Sequence, residues 1–170
     1  NRYHTLDVIR GVVAAEAENR ISLYTGNDDH ILLDLLTPYA LKRGDDEVVV
    51  GFKGGLLGHW SVWVKPAVNY LAHAHSAIAA GTIDMKLLQL DSQITDANGA
   101  LFDVAHNFAG CISGCHEVLR RQGLMRGIWC LNPDEKLSPG QAAELDRVID
   151  HYPHLCDDDF VTQNLELWLE

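Results

Sequence analysis

The stretch ISLYTGNDDHILLDLL, residues 21–36, decides the expected fold. Ile21–Tyr24 have the apolar and aromatic character of a strand, and helical apolar spacing begins directly after the polar turn. A strand that ends in a glycine and carboxylates and then turns into a helix is typical of the ligand-binding edge of α/β proteins. The turn Gly26–Asp29 is therefore the first candidate site. Asp28 or Asp29 is expected to cap the helix that follows.

A second strand is expected at EVVVGF, residues 47–52. Its β-branched and almost uninterrupted apolar run is the pattern of a strand buried on both faces, as in parallel sheets. A glycine-rich turn follows this strand, and a helix is then predicted to about Ala80, with Pro66 opening or kinking it. The alternation of helix, strand, helix, strand and helix predicts a parallel α/β arrangement.

No further strand is predicted after Gly81, and the rest of the chain has the pattern of helices. Two parallel strands cannot form a stable sheet alone, because parallel sheets need both faces covered and their edges paired. A complete (β/α)8 TIM barrel takes about 250 residues. The sequence therefore predicts an α/β fold, the C-terminal part of a TIM barrel with its last two strands over residues 1–81, followed by a C-terminal helical region over residues 82–170.

Composition restricts the class of partner. Lys plus Arg is 13 and Asp plus Glu is 24, so the formal charge of 13 − 24 = −11 disfavours nucleic acid and anionic membrane surfaces. The apolar runs are shorter than the roughly 20 residues that span a bilayer. The four cysteines show no paired framework, which predicts reduced thiols and a cytoplasmic protein. The chain begins with Asn1 and no leader, so we expect a fragment or a processed product.

The residues after the second strand supply further candidates for a site. Gly54 is expected to form a pocket wall, because glycine lets the backbone approach a ligand closely. Lys53 is a conceivable Schiff-base nucleophile, but a solvated lysine in an ordinary turn is the favoured interpretation. His59 could hydrogen-bond a substrate or act as a general base near neutral pH, although histidines in this position more often cap or pack.

No metal site and no cofactor are predicted. His73 and His75 lie two positions apart on a predicted helix and so face different sides. Cys111 and Cys115 could reach one ion, but a structural zinc site needs further ligands at close spacing, and packed thiols are favoured. The sequence also has no phosphate loop, no nucleophile elbow and no His-Glu-x-x-His motif.

Three stretches together carry a resemblance to a known family: YTGNDDHILLDLLTPY (24–39), GGLLGHWSVW (54–63) and CHEVLRRQGLMRGIWCLNPDEKLSPGQ (115–141). They resemble the C-terminal part of dihydrodipicolinate synthase family proteins, the Schiff-base aldolase barrels that also include N-acetylneuraminate lyase. The similarity is closest to a divergent, dihydrodipicolinate synthase-like branch. It spans nearly the whole chain, and the last stretch is its most specific part.

The resemblance implies a function and a set of site residues. The chain would be the C-terminal portion of a class I (Schiff-base) aldolase-type lyase acting on pyruvate or a related 2-oxo acid. The Schiff-base lysine and a proton-relay tyrosine would precede Asn1, so no catalytic residue is expected in this chain. Gly26 would border the keto acid. The substrate-binding candidates, on this resemblance and on position, are Gly26, Asn27, Asp28, Phe52, Gly54 and His59.

The resemblance also implies partners, and two alternatives remain open. The N-terminal part of the same barrel and further copies in a homo-oligomer are the expected partners. Typical members end the turn after strand eight with Asn, whereas Lys53 begins a glycine-rich turn here, which leaves the second substrate open. The first alternative is a non-catalytic structural half that needs a partner chain. The second is a metal-assisted hydrolase that uses Asp28, Asp29 and His59 around a divalent ion.

Overall fold

The computed structural model describes residues 2–56 and 58–170 and shows a predominantly helical molecule, with 57% of the chain in helices. The α-helices are α1 (Arg2–Ala14), α2 (Ile31–Leu36), α3 (Val64–Ala80), α4 (Met85–Leu101), α5 (Cys111–Arg121), α6 (Gln141–His151) and α7 (Asp158–Leu169). The strands are β1 (Leu23–Thr25), β2 (Tyr39–Arg43), β3 (Asp46–Val50) and β4 (Phe52–Gly55). None of the helices in the described ranges is long and apolar enough to cross a membrane.

The strands form two separate sheets of two strands each. β1 pairs in parallel with β4, with Tyr24 opposite Gly54 and Thr25 opposite Gly55. β2 and β3 form an antiparallel hairpin. Gly44 lies in the turn of this hairpin with a φ of 63°, a left-handed conformation that glycine adopts without a steric penalty.

The prediction of a TIM-barrel segment is wrong. The described residues contain only the two small sheets and no closed barrel. The run 47–52 does not form one buried strand, because most of it pairs with Tyr39–Arg43 in the hairpin and only the part from Phe52 onward pairs with β1. Val49, in the middle of the run, is 57% exposed, so the strand is not covered on both faces. The β-branched run forms its hydrogen bonds with the segment that directly precedes it in the chain, which is the pairing of an antiparallel hairpin.

The predicted helices are present, but their starts differ from the expectation. The spacing of Leu6, Ile9, Val12 and Val13 predicts a first helix that Thr5 would cap, but α1 begins at Arg2, so Thr5 lies inside the helix. His30 precedes α2, and neither Asp28 nor Asp29 caps that helix. Pro66 lies in the first turn of α3, where its missing N–H is not needed.

Two hydrophobic clusters hold the elements together. The larger one is centred on α2, whose apolar residues predicted from the helical spacing are all buried: Ile31, Leu32, Leu35 and Leu36. It continues through Trp63 and Ile94 to Leu145 on α6, so it joins residues on both sides of position 81. The smaller cluster packs Ile9 and Val13 of α1 against the hairpin. The division of the chain at residue 81 stays a prediction.

Candidate functional site

The carboxyl ends of β1 and β4 lie side by side, because the two strands run parallel. The backbone N–H of Leu56 donates to the carbonyl of Thr25 over 3.0 Å and extends the pairing to this edge. The first strand-end loop, residues 26–29, follows β1. The second strand-end loop, residues 56, 58 and 59 of the described chain, follows β4. Both candidate turns of the sequence therefore lie at one edge of the small parallel sheet.

Asn98 on α4 joins the two strand-end loops. Its Nδ2 donates to the carbonyl of Asp28 over 2.5 Å, and its Oδ1 accepts from the backbone N–H of His59 over 2.6 Å. A Cβ at Gly58 would lie 3.4 Å from the Asn98 amide, and Gly58 has a φ of 87°, so this position favours glycine on both counts. One buried amide thus fixes the distance between the two loops.

His59 is a buried residue, only 1% exposed, so it packs inside the protein, which is the more frequent of the two roles considered for it. Its Nδ1 donates to Asn98 Oδ1 over 3.0 Å, and its ring packs edge-on against Trp63 with 5.5 Å between the ring centroids. Burial lowers the pKa of His59 to about 4, although the hydrogen bond to Asn98 opposes that shift. The imidazole is therefore neutral near pH 7 and holds the second strand-end loop against α3 and α4.

A fully buried carboxylate, Asp34 of α2, orients the first strand-end loop. It accepts hydrogen bonds from Thr25 Oγ1 over 2.7 Å, Asn27 Nδ2 over 2.6 Å and the Tyr39 hydroxyl over 2.8 Å. Asn27 Nδ2 also donates to Thr5 Oγ1 over 2.9 Å. Both amide hydrogens of Asn27 are thereby used inside the protein, so this side chain positions the loop and does not offer its amide N–H groups to a ligand.

A cavity of about 450 Å³, the loop cavity, lies beside the first strand-end loop. Gly26, Asn27 and Asp28 line it together with Asn98, and Phe108 lies at its wall. The space next to Gly26 is open, because a Cβ built there meets nothing within 4 Å. Asp28 and Asp29 give the loop cavity an acidic character, which favours cations over carboxylates as occupants.

The structure places Phe52 and Gly54 apart from the loop cavity. Phe52 packs edge-on against Tyr39, with 5.9 Å between the ring centroids, and lines a second cavity of about 480 Å³ under the β2–β3 hairpin. A Cβ at Gly54 would lie 2.6 Å from Cε1 of Tyr24, so this glycine makes room for the tyrosine ring. The residues Gly26, Asn27 and Asp28 are thus grouped, while Phe52 and Gly54 belong to other contacts.

The trio of the metal-assisted alternative does not converge on one point. His59 is buried and bonded to Asn98, and Asp29 pairs with Nδ1 of His30 over 2.6 Å. Among the described residues, no group of three or more His, Cys, Asp or Glu side chains is placed to hold a metal ion. The geometry therefore gives no support to a hydrolase built on Asp28, Asp29 and His59.

Two residues that organise the site were missed from the sequence. Asp34 left a signal, since a single carboxylate within the apolar run ILLDLL (31–36) is unusual on a buried helix. Asn98 left none, because an asparagine near the end of a long helix is unremarkable until the tertiary contacts are known.

Comparison of the chain with models of protein families, with curated proteins and with solved structures gave no match. The family resemblance therefore stays a prediction carried by the three sequence stretches that show it. Any function proposed for the chain rests on those stretches and on the geometry of the strand-end loops.

Proposed function

We propose that the chain contributes the substrate-binding wall of a class I aldolase-type lyase that acts on pyruvate or a related 2-oxo acid. The observation that carries the proposal is the joining of two glycine-containing loops, by Asn98, at the carboxyl ends of parallel β1 and β4. Ligands of α/β proteins bind at such edges, where backbone groups of the loops are directed at the substrate. The sequence resemblance supplies the reaction class.

Gly26 is the residue assigned to the substrate. The open space around it lets a planar 2-oxo acid approach the backbone, which a side chain would prevent. Asn27 and Asp34 hold the loop in one orientation through their buried hydrogen bond. Because Asp28 and Asp29 repel a carboxylate, we place the substrate against the Gly26 backbone and away from these two side chains.

As the resemblance implies, the amine of the Schiff base would come from outside residues 1–170. Lys53 is the lysine nearest in sequence to the strand-end loops, and it lines the cavity under the hairpin, not the loop cavity. In the complete enzyme, a lysine amine would add to the substrate carbonyl and lose water. The protonated imine then accepts the electron pair of the carbon–carbon bond that breaks. In the direction of bond formation it first loses a proton, and the resulting enamine carbon supplies the electron pair of the new bond.

A non-catalytic role is the second candidate, and one observation favours it. Asn27 Nδ2 and the His59 ring are both engaged in internal hydrogen bonds. A structural module that only packs against a partner chain would use these internal hydrogen bonds to hold its fold and would bind no substrate. Covalent trapping separates this role from the lyase.

The experiment is borohydride trapping on the full-length protein that carries this chain. The protein is incubated with pyruvate, reduced and mapped by mass spectrometry. The lyase predicts an adduct on one lysine outside residues 1–170. If neither pyruvate nor a panel of other 2-oxo acids gives an adduct, the lyase proposal is rejected and the non-catalytic role is preferred.

A pair of glycine variants tests the assignment of Gly26. Gly26→Ala is expected to slow adduct formation about tenfold, because the new methyl group displaces the substrate from the lysine. Gly11→Ala is the matched control, since a Cβ at Gly11 in α1 also meets nothing within 4 Å. Equal trapping rates for the two variants would remove Gly26 from the site.

A further inference from the structure

The cavity under the β2–β3 hairpin, named the hairpin cavity from here on, is separate from the strand-end loops. It lies between the hairpin, the first residues of β4 and the C-terminal half of α3. Its volume of about 480 Å³ falls within the range of small-molecule pockets. The apolar side chains of Val49, Phe52 and Ile78 form much of its wall.

The charge of the hairpin cavity sets it apart from the rest of this acidic protein. Lys53 and His75 are its titratable lining residues, and no Asp or Glu of the described chain lines it. Four other cavities of the described residues each have at least one carboxylate in their lining. In a chain of formal charge −11, a cavity with basic groups alone is suited to an anion.

The two basic residues are held beside each other. His75 Nε2 lies 3.1 Å from the backbone carbonyl of Lys53. A carbonyl only accepts, so Nε2 carries the hydrogen and donates, and this bond fixes α3 against β4 at the wall of the cavity. The Lys53 side chain is exposed and flexible, and its ammonium can reach a ligand at the mouth as a compact positive charge.

The mouth of the cavity is apolar as well as basic. Val49 is 57% exposed and Ile78 is 42% exposed, and both line the cavity. An apolar group that entered the cavity would remove these side chains from water. The lining therefore matches a ligand with one negative charge and an apolar body.

We infer that the hairpin cavity binds a small free carboxylate with an apolar tail. The carboxylate pairs with Lys53 at the mouth, next to His75, and the tail packs against Val49, Phe52 and Ile78. This site does not depend on the proposed lyase function, and the two can fail separately. The carboxyl terminus of a polypeptide with an apolar last residue has the same chemistry, and the test distinguishes the two sources.

The experiment is a calorimetric titration of the chain with octanoate. One saturable site is expected, with a Kd of roughly 1 mM or tighter. Octanamide has the same tail without the charge and acetate has the charge without the tail, so each is expected to bind at least about tenfold more weakly. No saturation by octanoate, or equal binding of octanoate and octanamide, overturns the inference. Tighter binding of an acetylated Gly-Gly-Leu peptide than of octanoate overturns the assignment to a free acid.

Variants locate the site. Lys53→Met is expected to weaken octanoate binding at least about fivefold and to leave octanamide unchanged, because it removes the charge and keeps an apolar stem. Lys86→Met changes the net charge equally at a residue of α4 that does not line the cavity, and is expected to bind like the original chain. Ala79→Trp fills the exposed mouth from α3 and is expected to abolish binding, so the site stays testable if Lys53→Met fails to fold. The inference is contradicted if Lys53→Met and Lys86→Met bind octanoate with equal affinity, or if Ala79→Trp binds octanoate as tightly as the original chain.

Discussion

At the scale of single residues, buried polar side chains determine the shape of the candidate site. Asn98 joins the two strand-end loops, and the carboxylate of Asp34 accepts hydrogen bonds from three side chains next to the first loop. Such groups cost free energy to bury unless they are hydrogen-bonded, and here the partners are present. The sequence pointed to the turn that these residues orient, at Gly26–Asp29. It could not reveal Asn98, because its partners lie 39 and 70 residues away in the chain.

The buried His59 predicts a pH dependence of stability. Its pKa is about 4 in the folded chain, against an ordinary value of 6.5 once the chain unfolds, so the unfolded state binds a proton more readily. The stability that neutral His59 contributes is complete above pH 6.5 and is lost as the pH falls through 4. We expect the free energy of unfolding to be about 2 kcal/mol lower at pH 5 than at pH 8 from this residue alone, as measured by urea denaturation.

His59→Gln tests the assignment. The variant is expected to be less stable than the original chain at every pH. Its free energy of unfolding is expected to decrease by about 2 kcal/mol less between pH 8 and pH 5, because residue 59 no longer titrates. His73→Gln, on the exposed face of α3, is the control and is expected to keep the dependence of the original chain. Glu117, whose pKa its hydrogen bonds with Arg120 and Arg121 lower to about 2, affects stability only below about pH 4.5 and does not interfere. An unchanged pH dependence in His59→Gln would show that another group is responsible.

At the scale of elements, α5 packs with its backbone close to the end of α4. A Cβ at Gly114 would overlap the carbonyl oxygen of Leu101 and lie 2.7 Å from Nε2 of Gln141. That same Nε2 donates to the carbonyls of Leu101 and Gly110 over 3.2 and 2.9 Å. The side chain of Gln141, at the start of α6, thus fills the junction of α4 and α5, and Gly114 is the residue that permits it.

Two glycine-to-alanine variants are expected to have opposite effects on stability. Gly114→Ala forces α5 away from α4 and is expected to lower the free energy of unfolding by about 1–3 kcal/mol. Gly99→Ala lies inside α4, where a Cβ meets nothing within 4 Å, and is expected to raise it by about 0.5–1 kcal/mol through better helix propensity. Thermal and urea unfolding of both variants measure the difference. A neutral Gly114→Ala would mean that the two helices are not packed this closely in solution.

The elements also show which sequence patterns were sufficient to predict secondary structure. Apolar spacing predicted the helices because each of them buries one face, as in α2, where the pattern and the burial coincide. The hairpin was missed because the apolar run 47–52 is compatible with two structures. It could form a buried parallel strand or pair in antiparallel orientation with a preceding strand. The sequence pattern predicts no strand at Tyr39–Arg43, although these residues form the partner strand of the hairpin.

At the scale of the whole molecule, the small parallel sheet has open edges that could pair with another chain. Among the described residues, β1 and β4 are paired only with each other, so each has an outer edge without a neighbouring strand. Large apolar side chains are exposed nearby, with Tyr24 at 53% and Leu56 at 80%. Unpaired strand edges beside apolar side chains favour pairing with another chain. The expected partner chain and the expected homo-oligomer both remain predictions, and either would use this surface.

The chain is therefore expected to self-associate as its concentration rises, as measured by sedimentation velocity. Its formal charge of −11 opposes association, so raising the salt concentration from about 0.05 M to about 0.5 M is expected to strengthen it by screening the repulsion. Leu56→Lys places a charge beside the open edge and is expected to keep the chain monomeric. Leu131→Lys makes the same change at a fully exposed residue between α5 and α6 and is expected to leave association intact. A chain that stays monodisperse at all concentrations and unfolds cooperatively would show that the two-stranded sheet is stable without a partner.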